Sequence, residues 1–307
     1  MPNRLDIIGA PSSAGAYSPG QERAPEALRD AGLLATLAER RIPVNDRGDV
    51  LGFRWRVDRA NPRSMNAEAA AGVARAVADR VAGSLADGAA VLVLGGDCTV
   101  ELGTVAGASA DSDNVGLVYI DLDTDLNTPA SVEDGALDWM GVAHLLGLDG
   151  TVPVLAGVGR RSPMLRPDQL LLFANENSTA FERRIIEERA IDEIRLAQVV
   201  ANPEAVARGV VNGWAARFER LLVHVDVDVL DYVDIPLAEE TRRNVGLRFS
   251  QLVAVLRELV AAPNWVALTI CEINPDHGEL DGSTLRTFNA ALADILSGAI
   301  RPGRLGH

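Results

Sequence analysis

Aspartates recur on alternate positions at the end of an apolar run, Val115-Gly116-Leu117-Val118-Tyr119-Ile120-Asp121-Leu122-Asp123-Thr124-Asp125. A second set follows later in the chain, Leu221-Leu222-Val223-His224-Val225-Asp226-Val227-Asp228-Val229-Leu230-Asp231. Side chains two apart on a strand share a face and lie roughly 6–7 Å apart. Each strand is therefore expected to aim a row of carboxylates one way. Acids at the ends of buried strands are costly unless paired or metal-bound. Two converging rows would form an oxygen-rich pocket for divalent cations. His224 is in step with Asp226 and Asp228, so it is expected on their face.

The elements that must carry these acids alternate along the chain. Apolar, β-rich runs occur near 4–9, 89–95, 115–121, 152–158, 169–174, 220–227 and 265–271. Helical spacing occupies stretches near 24–41, 66–87, 99–108, 138–148, 179–190, 203–217, 249–261 and 283–298. Strand–helix alternation predicts an α/β fold with a mostly parallel sheet covered by helices on both faces. Such sheets place their sites at the carboxyl ends of the strands, where both aspartate sets fall. No repeat, linker or composition break divides the 307 residues, so one domain over 1–307 is expected. The stretches 122–137 and 231–246 lack a helical or strand period, and each follows an aspartate run. Both are expected to wall one pocket.

Bulk properties exclude several classes. The chain is 48% hydrophobic and 23% charged, with a net charge of −14. That balance argues against nucleic acid or an anionic membrane as partner. Two cysteines, Cys98 and Cys271, do not make a disulfide scaffold. No signal-peptide pattern and no membrane-length apolar run occur. A soluble cytoplasmic protein is the expectation.

Two further segments complete a constellation. Leu94-Gly95-Gly96-Asp97-Cys98-Thr99 ends one strand and opens a helix, and Cys271-Glu272-Ile273-Asn274-Pro275 ends another. With the two aspartate sets and the early Gly20-Gln21-Glu22-Arg23-Ala24-Pro25-Glu26-Ala27-Leu28-Arg29, the chain resembles the ureohydrolase family nearly end to end. That family comprises arginase, agmatinase, guanidino-acid hydrolases and formimidoylglutamase. The resemblance implies a central eight-stranded parallel sheet, a homo-trimer or homo-hexamer, and a dinuclear Mn²⁺ site in each subunit. It also implies a small-molecule guanidino or amidino substrate, whose guanidino carbon is attacked by a hydroxide held between the two ions.

Residue by residue, the six metal-ligand positions read Cys98, Asp121, Asp123, Asp125, Asp226 and Asp228. Four match the family. Cys98 and Asp123 stand where it has histidines, and Asp138 stands where its catalytic-loop histidine would be. Glu272 matches the glutamate that holds the substrate guanidinium by paired hydrogen bonds. Asn127 matches an asparagine that holds the α-carboxylate in arginase. Asp134 and Ala136 replace a serine and an asparagine beside it, so the carboxylate clamp is incomplete. Asp134 would attract an amine.

The substitutions change the charge. Five ionised aspartates and a thiolate carry six negative charges, against four positive on two divalent ions. Such a site must recruit cations, keep a proton, or bind fewer metals. His224 could donate to a carboxylate, carry protons or ligate metal. Arg160–Arg161 or Arg242–Arg243 could face the excess charge, or could be solvated surface pairs. Cys98 is a metal ligand or a small buried hydrophobe. Thiolate suits zinc or iron better than manganese. Cys271, out of phase with Glu272, is expected in the core, and His144 at the surface. Asp138 could serve as proton donor if burial and neighbouring charge raise its pKa. A metal-dependent, agmatinase- or arginase-like C–N hydrolase is the leading expectation. A homologue that has lost hydrolysis and acts as a binding or regulatory protein is the alternative.

Overall fold

The computed structural model describes residues 2–300. Eight strands form one sheet: β1 (Leu5–Gly9), β2 (Val44–Asp49), β3 (Ala90–Leu94), β4 (Val115–Ile120), β5 (Leu170–Asn175), β6 (Asp192–Arg195), β7 (Arg220–Asp226) and β8 (Trp265–Cys271). Their order is β2-β1-β3-β8-β7-β4-β5-β6, and every pairing is parallel. The six inner strands are apolar runs because helices cover them on both faces. The expected parallel α/β sheet is present, with three local differences.

Residues 152–158 do not form a strand. Pro153 opens a short helix, Pro153–Ala156, because proline is readily accommodated in a first helical turn. The edge strands β2 (VNDRGD) and β6 (DEIR) carry no apolar run to betray them. Edge strands face solvent along one side, and charged side chains there discourage pairing with other chains.

The helices are α1 (Ala24–Asp30), α2 (Leu33–Glu39), α3 (Ala67–Ala86), α4 (Glu101–Ala108), α5 (Gly141–Leu145), α6 (Pro153–Ala156), α7 (Ala180–Arg189), α8 (Leu196–Ala201), α9 (Pro203–Asn212), α10 (Phe249–Val260) and α11 (Ser283–Ala299). One core layer packs residues of α1, α2, α10 and α11 against one face of the sheet. The other packs α3, α4 and α5 against the opposite face. Among the described residues, no helix is long and apolar enough to cross a membrane.

Two contacts fix the parts that matter for the site. In α7, Thr179 and Glu182 make a capping box: the Glu182 amide donates to Thr179 Oγ1 at 3.2 Å, and the Thr179 amide to Glu182 Oε2 at 2.8 Å. Glu182 Oε1 also accepts from Thr124 Oγ1 and the Leu126 amide, so α7 holds the loop after β4. After β3, Gly96 passes so close to the backbone of residue 12 that an added Cβ would stand 1.8 Å from the Ser12 carbonyl oxygen. Only glycine permits that approach.

Candidate active site

β3, β8, β7 and β4 are consecutive in the sheet, and the four motif segments leave their carboxyl ends side by side. The acids are not presented by strand alternation, however. β4 stops at Ile120 and β7 at Asp226. Acids four apart on a straight strand would be separated by roughly 13 Å. Yet donor atoms of Cys98, Asp121 and Asp125 lie within 4.8 Å of one another, as do those of Asp121, Asp123 and Asp228. Each strand ends in a turn that folds its acids inward. Asp121 Oδ1 accepts from the Asp123 amide at 2.7 Å, and Asp226 Oδ1 accepts from the Asp228 amide at 2.7 Å. Asp125 then takes a left-handed backbone, φ 50°. The pocket was readable from residue types, but the expected shared strand face is corrected by these two Asx turns.

Cys98, Asp226 and Glu272 also approach within 4.8 Å of one another. Glu272 has φ 64°, a conformation uncommon for a non-glycine residue. Its Oε1 accepts from the Cys98 amide at 3.1 Å and its Oε2 from Gln21 Nε2 at 2.9 Å. Burial and neighbouring carboxylates push Asp121, Asp125, Asp226 and Glu272 well above the usual carboxylate range. Burial, with Asp123 beside it, brings Asp228 up to about 7 against the opposing pull of Arg242. Asp121 Oδ2 and Asp228 Oδ1 are buried with no hydrogen-bond partner among the described residues. Buried carboxylate oxygens without donors are costly unless a cation or proton meets them, so this donor set fits divalent ions.

Asp123 and Cys98 each have a basic partner. Arg242 Nη2 stands 2.7 Å from Asp123 Oδ2. His224 Nε2 lies 3.3 Å from Cys98 Sγ, and its Nδ1 lies 3.3 Å from Glu101 Oε2. Its ring stacks on Tyr119, with centroids 4.2 Å apart. Tyr119 in turn donates to Asp125 Oδ2 at 2.5 Å. The other arginine pair is elsewhere: Arg160 and Arg161 bridge to Asp113, just before the opposite end of β4.

The matching sequence family is described as the Arginase family, over residues 3–297. The chain belongs to the arginase family. Rat arginase-1 is 30% identical over 310 residues, spanning 96% of this chain and 92% of that protein. Among solved structures, an arginase from Bacillus caldovelox superposes with a TM-score of 0.84 at 24% identity, covering 99% of each chain. A Trypanosoma cruzi formiminoglutamase solved with Mn²⁺ superposes at 0.73 and 18% identity, covering 98% of this chain and 95% of its own.

In this arginase-family chain the acids open onto a narrow cleft of about 30 Å³. Nine of its eleven lining residues are Asp or Glu, including Asp138, Glu239 and Glu240; the others are Tyr17 and Trp139. The two loops expected to wall one pocket both contribute, through Asp123 and Asp125 and through Glu239 and Glu240. Asp138 is partly buried, and desolvation together with Asp97 and Asp125 raises its pKa well up. Asn127 and Asp134 line an adjoining cleft that shares Asp123, Asp125 and Trp139 with the first.

Tyr17, Glu101, Trp139, Glu239 and Glu240 were given no role from the sequence, because no motif position marks them individually. His144 is corrected: it is 1% exposed, donating from Nδ1 to the Met140 carbonyl at 2.6 Å while Nε2 accepts from the Val152 amide at 3.0 Å. Cys271 lies in the core as expected, but its sulfur reaches the site.

Proposed function

We propose that this chain hydrolyses a guanidino or amidino C–N bond in a small molecule whose far end is an amine, an agmatine-like substrate. The observation that carries the reading is the cleft itself. Carboxylates converge from the ends of three adjacent strands, β8, β7 and β4, Glu272 stands among them, and Arg242 at their edge is already paired with Asp123 and Asp228. Arginine's α-carboxylate would meet Glu239, Glu240 and, in the adjoining cleft, Asp134. A primary amine would be attracted there.

Cys98, Asp121, Asp123, Asp125, Asp226 and Asp228 would hold two divalent ions, Mn²⁺ by analogy with the formiminoglutamase. Such ions, when bound, act as Lewis acids and lower the pKa of water. The chain's own residues do the rest. Glu272 is fixed by Gln21 and the Cys98 amide, and it receives the planar guanidinium. Asp138 Oδ1 accepts from the Trp139 amide at 3.0 Å, which leaves Oδ2 to carry a proton. With its pKa raised, Asp138 is protonated where ordinary carboxylates are not, so it can deliver that proton to the departing nitrogen. Tyr17 and Trp139 stack with centroids 6.4 Å apart and wall the mouth against water.

The test is product release from Mn²⁺-reconstituted protein offered agmatine, arginine, 4-guanidinobutyrate and formimidoylglutamate. Agmatine should be turned over fastest. Preference for any of the three carboxylate-bearing compounds rejects the amine assignment. Release from none rejects hydrolysis and leaves a binding role.

A further inference from the structure

Two thiols and one imidazole meet beneath the carboxylate cluster. The chain has only two cysteines and four histidines in 307 residues. Both cysteines and one histidine converge: donor atoms of Cys98, His224 and Cys271 lie within 4.8 Å of one another, and all three residues are buried. They come from neighbouring parts of the sheet. His224 is on β7, Cys271 ends β8 opposite Asp226, and Cys98 follows β3. Gly95 leaves the room for this, since a Cβ there would stand 2.5 Å from Cys271 Sγ.

Three details match the requirements of a borderline-soft metal. First, Cys98 Sγ is 3.3 Å from His224 Nε2. Sulfur at about 2.3 Å and nitrogen at about 2.0 Å from a tetrahedral zinc stand roughly 3.5 Å apart, close to that separation. Second, the far nitrogen of His224 faces a carboxylate, Glu101 Oε2 at 3.3 Å, on the adjacent helix α4. Metal-bound histidines commonly donate their second N–H to such a carboxylate, which fixes the tautomer and the ring. Third, stacking on Tyr119 holds the ring plane still.

We infer that Cys98, Cys271 and His224 supply three ligands of a buried tetrahedral site for Zn²⁺ or a similar thiolate-seeking divalent ion, its fourth position left to water, with Glu101 as the positioning residue for His224. The ion would lie deeper than the carboxylate cluster and share Cys98 with it. Its protein donors are two thiols and an imidazole, a set that favours zinc over manganese. Binding would displace the two thiol protons to solvent.

Cobalt substitution tests this without reference to hydrolysis. Metal-free, reduced full-length protein is titrated with Co²⁺ and read by near-ultraviolet and visible absorption, then back-titrated with Zn²⁺. The expected result is a thiolate-to-cobalt charge-transfer band and intense tetrahedral visible bands at one equivalent, both erased by one equivalent of Zn²⁺. Cys271→Ser should reduce the charge-transfer band by about half, with its melting profile as the check on folding. Glu101→Gln should weaken Zn²⁺ binding by about 10–100-fold, as loss of a carboxylate behind a ligating histidine does. No charge-transfer band, or a band unchanged in folded Cys271→Ser, would overturn the site. Because the readout is metal occupancy, a chain inactive on every guanidine can still show it. An active Mn²⁺ enzyme lacking the band would refute this inference alone.

Discussion

Arg242 bridges two candidate metal ligands: its Nη2 is 2.7 Å from Asp123 Oδ2 and its Nη1 is 3.7 Å from Asp228 Oδ2. The guanidinium sits beside Asp123, the aspartate that stands where the family resemblance implies a histidine. It supplies a positive charge where substitution of a neutral imidazole by a carboxylate added a negative one. The excess charge evident from the ligand count thus has a partner, drawn from the loop after β7.

That pairing predicts competition with metal. A fixed cation this close to a divalent ion opposes its binding, even through a moderately screened medium. Arg242→Gln is therefore expected to tighten Mn²⁺ binding by about tenfold or more, equivalent to about 1.4 kcal/mol. It should also lower the melting temperature of the metal-free protein, whose aspartates lose their counter-charge. Calorimetric titration and thermal melts check both, and an unchanged Mn²⁺ affinity would contradict the competition.

The amine preference should reside chiefly in Glu240. Glu239 is already engaged, accepting from Ser18 Oγ at 2.9 Å and from Asn274 Nδ2. Glu240 accepts only from the adjacent Thr241 amide among the described residues. Glu240→Gln is expected to raise KM for agmatine by about tenfold, the scale of one charge-assisted contact of about 1.4 kcal/mol. kcat should change little, because the contact is remote from the reacting carbon. Equal loss in kcat would place Glu240 in the chemistry instead.

Much of this was legible in the sequence for a physical reason. The inner strands are buried on both faces and must read as apolar runs, so β1, β3, β4, β5, β7 and β8 were visible. β2 and β6 were not, because half-solvated edge strands are built from Asp, Arg, Asn and Glu. Acids at the ends of β4 and β7 were equally plain, since nothing but function excuses carboxylates there. Their arrangement was hidden: the Asx turns at Asp121 and Asp226 and the left-handed Asp125 are local choices that alternation does not reveal. Glu101, one turn of helix past Cys98, and Cys271, next to Glu272, become meaningful only when the sheet brings β3, β7 and β8 together.

Two glycines should respond to alanine with opposite signs. At Gly96 the new Cβ would meet backbone at 1.8 Å, which cannot yield without moving residue 12 and the Asp97–Cys98 turn. A loss of about 3 kcal/mol is expected from such overpacking. At Gly72, exposed on α3, nothing lies within 4 Å of the added methyl. Alanine there should stabilise by about 1 kcal/mol through helix propensity. Urea denaturation of both variants measures the difference, and a stable Gly96→Ala would show that the close approach is not enforced.

His144 gives the fold an acid sensitivity separate from the aspartates. Its Nδ1–H donates to the Met140 carbonyl and its Nε2 accepts from the Val152 amide, so the buried ring is a neutral tautomer with both nitrogens used. A second proton would have to enter at Nε2, facing an N–H. Burial lowers its pKa from 6.5 to about 4, although the Met140 bond pulls the other way. Between those values the unfolded chain holds a proton that the folded chain refuses. Stability from this residue is therefore complete above about pH 6.5, falls as pH drops towards 4, and is flat below, by about 3 kcal/mol in all. Carboxylates titrate in the same window, so the quantity to measure is the difference in unfolding free energy between wild type and His144→Gln, from urea melts at closely spaced pH values. That difference should shrink by about 3 kcal/mol on acidification from pH 7 to 4, because glutamine carries no titrating proton. A difference constant across the window would mean that the folded protein takes up the second proton on the ring as readily as the unfolded chain does.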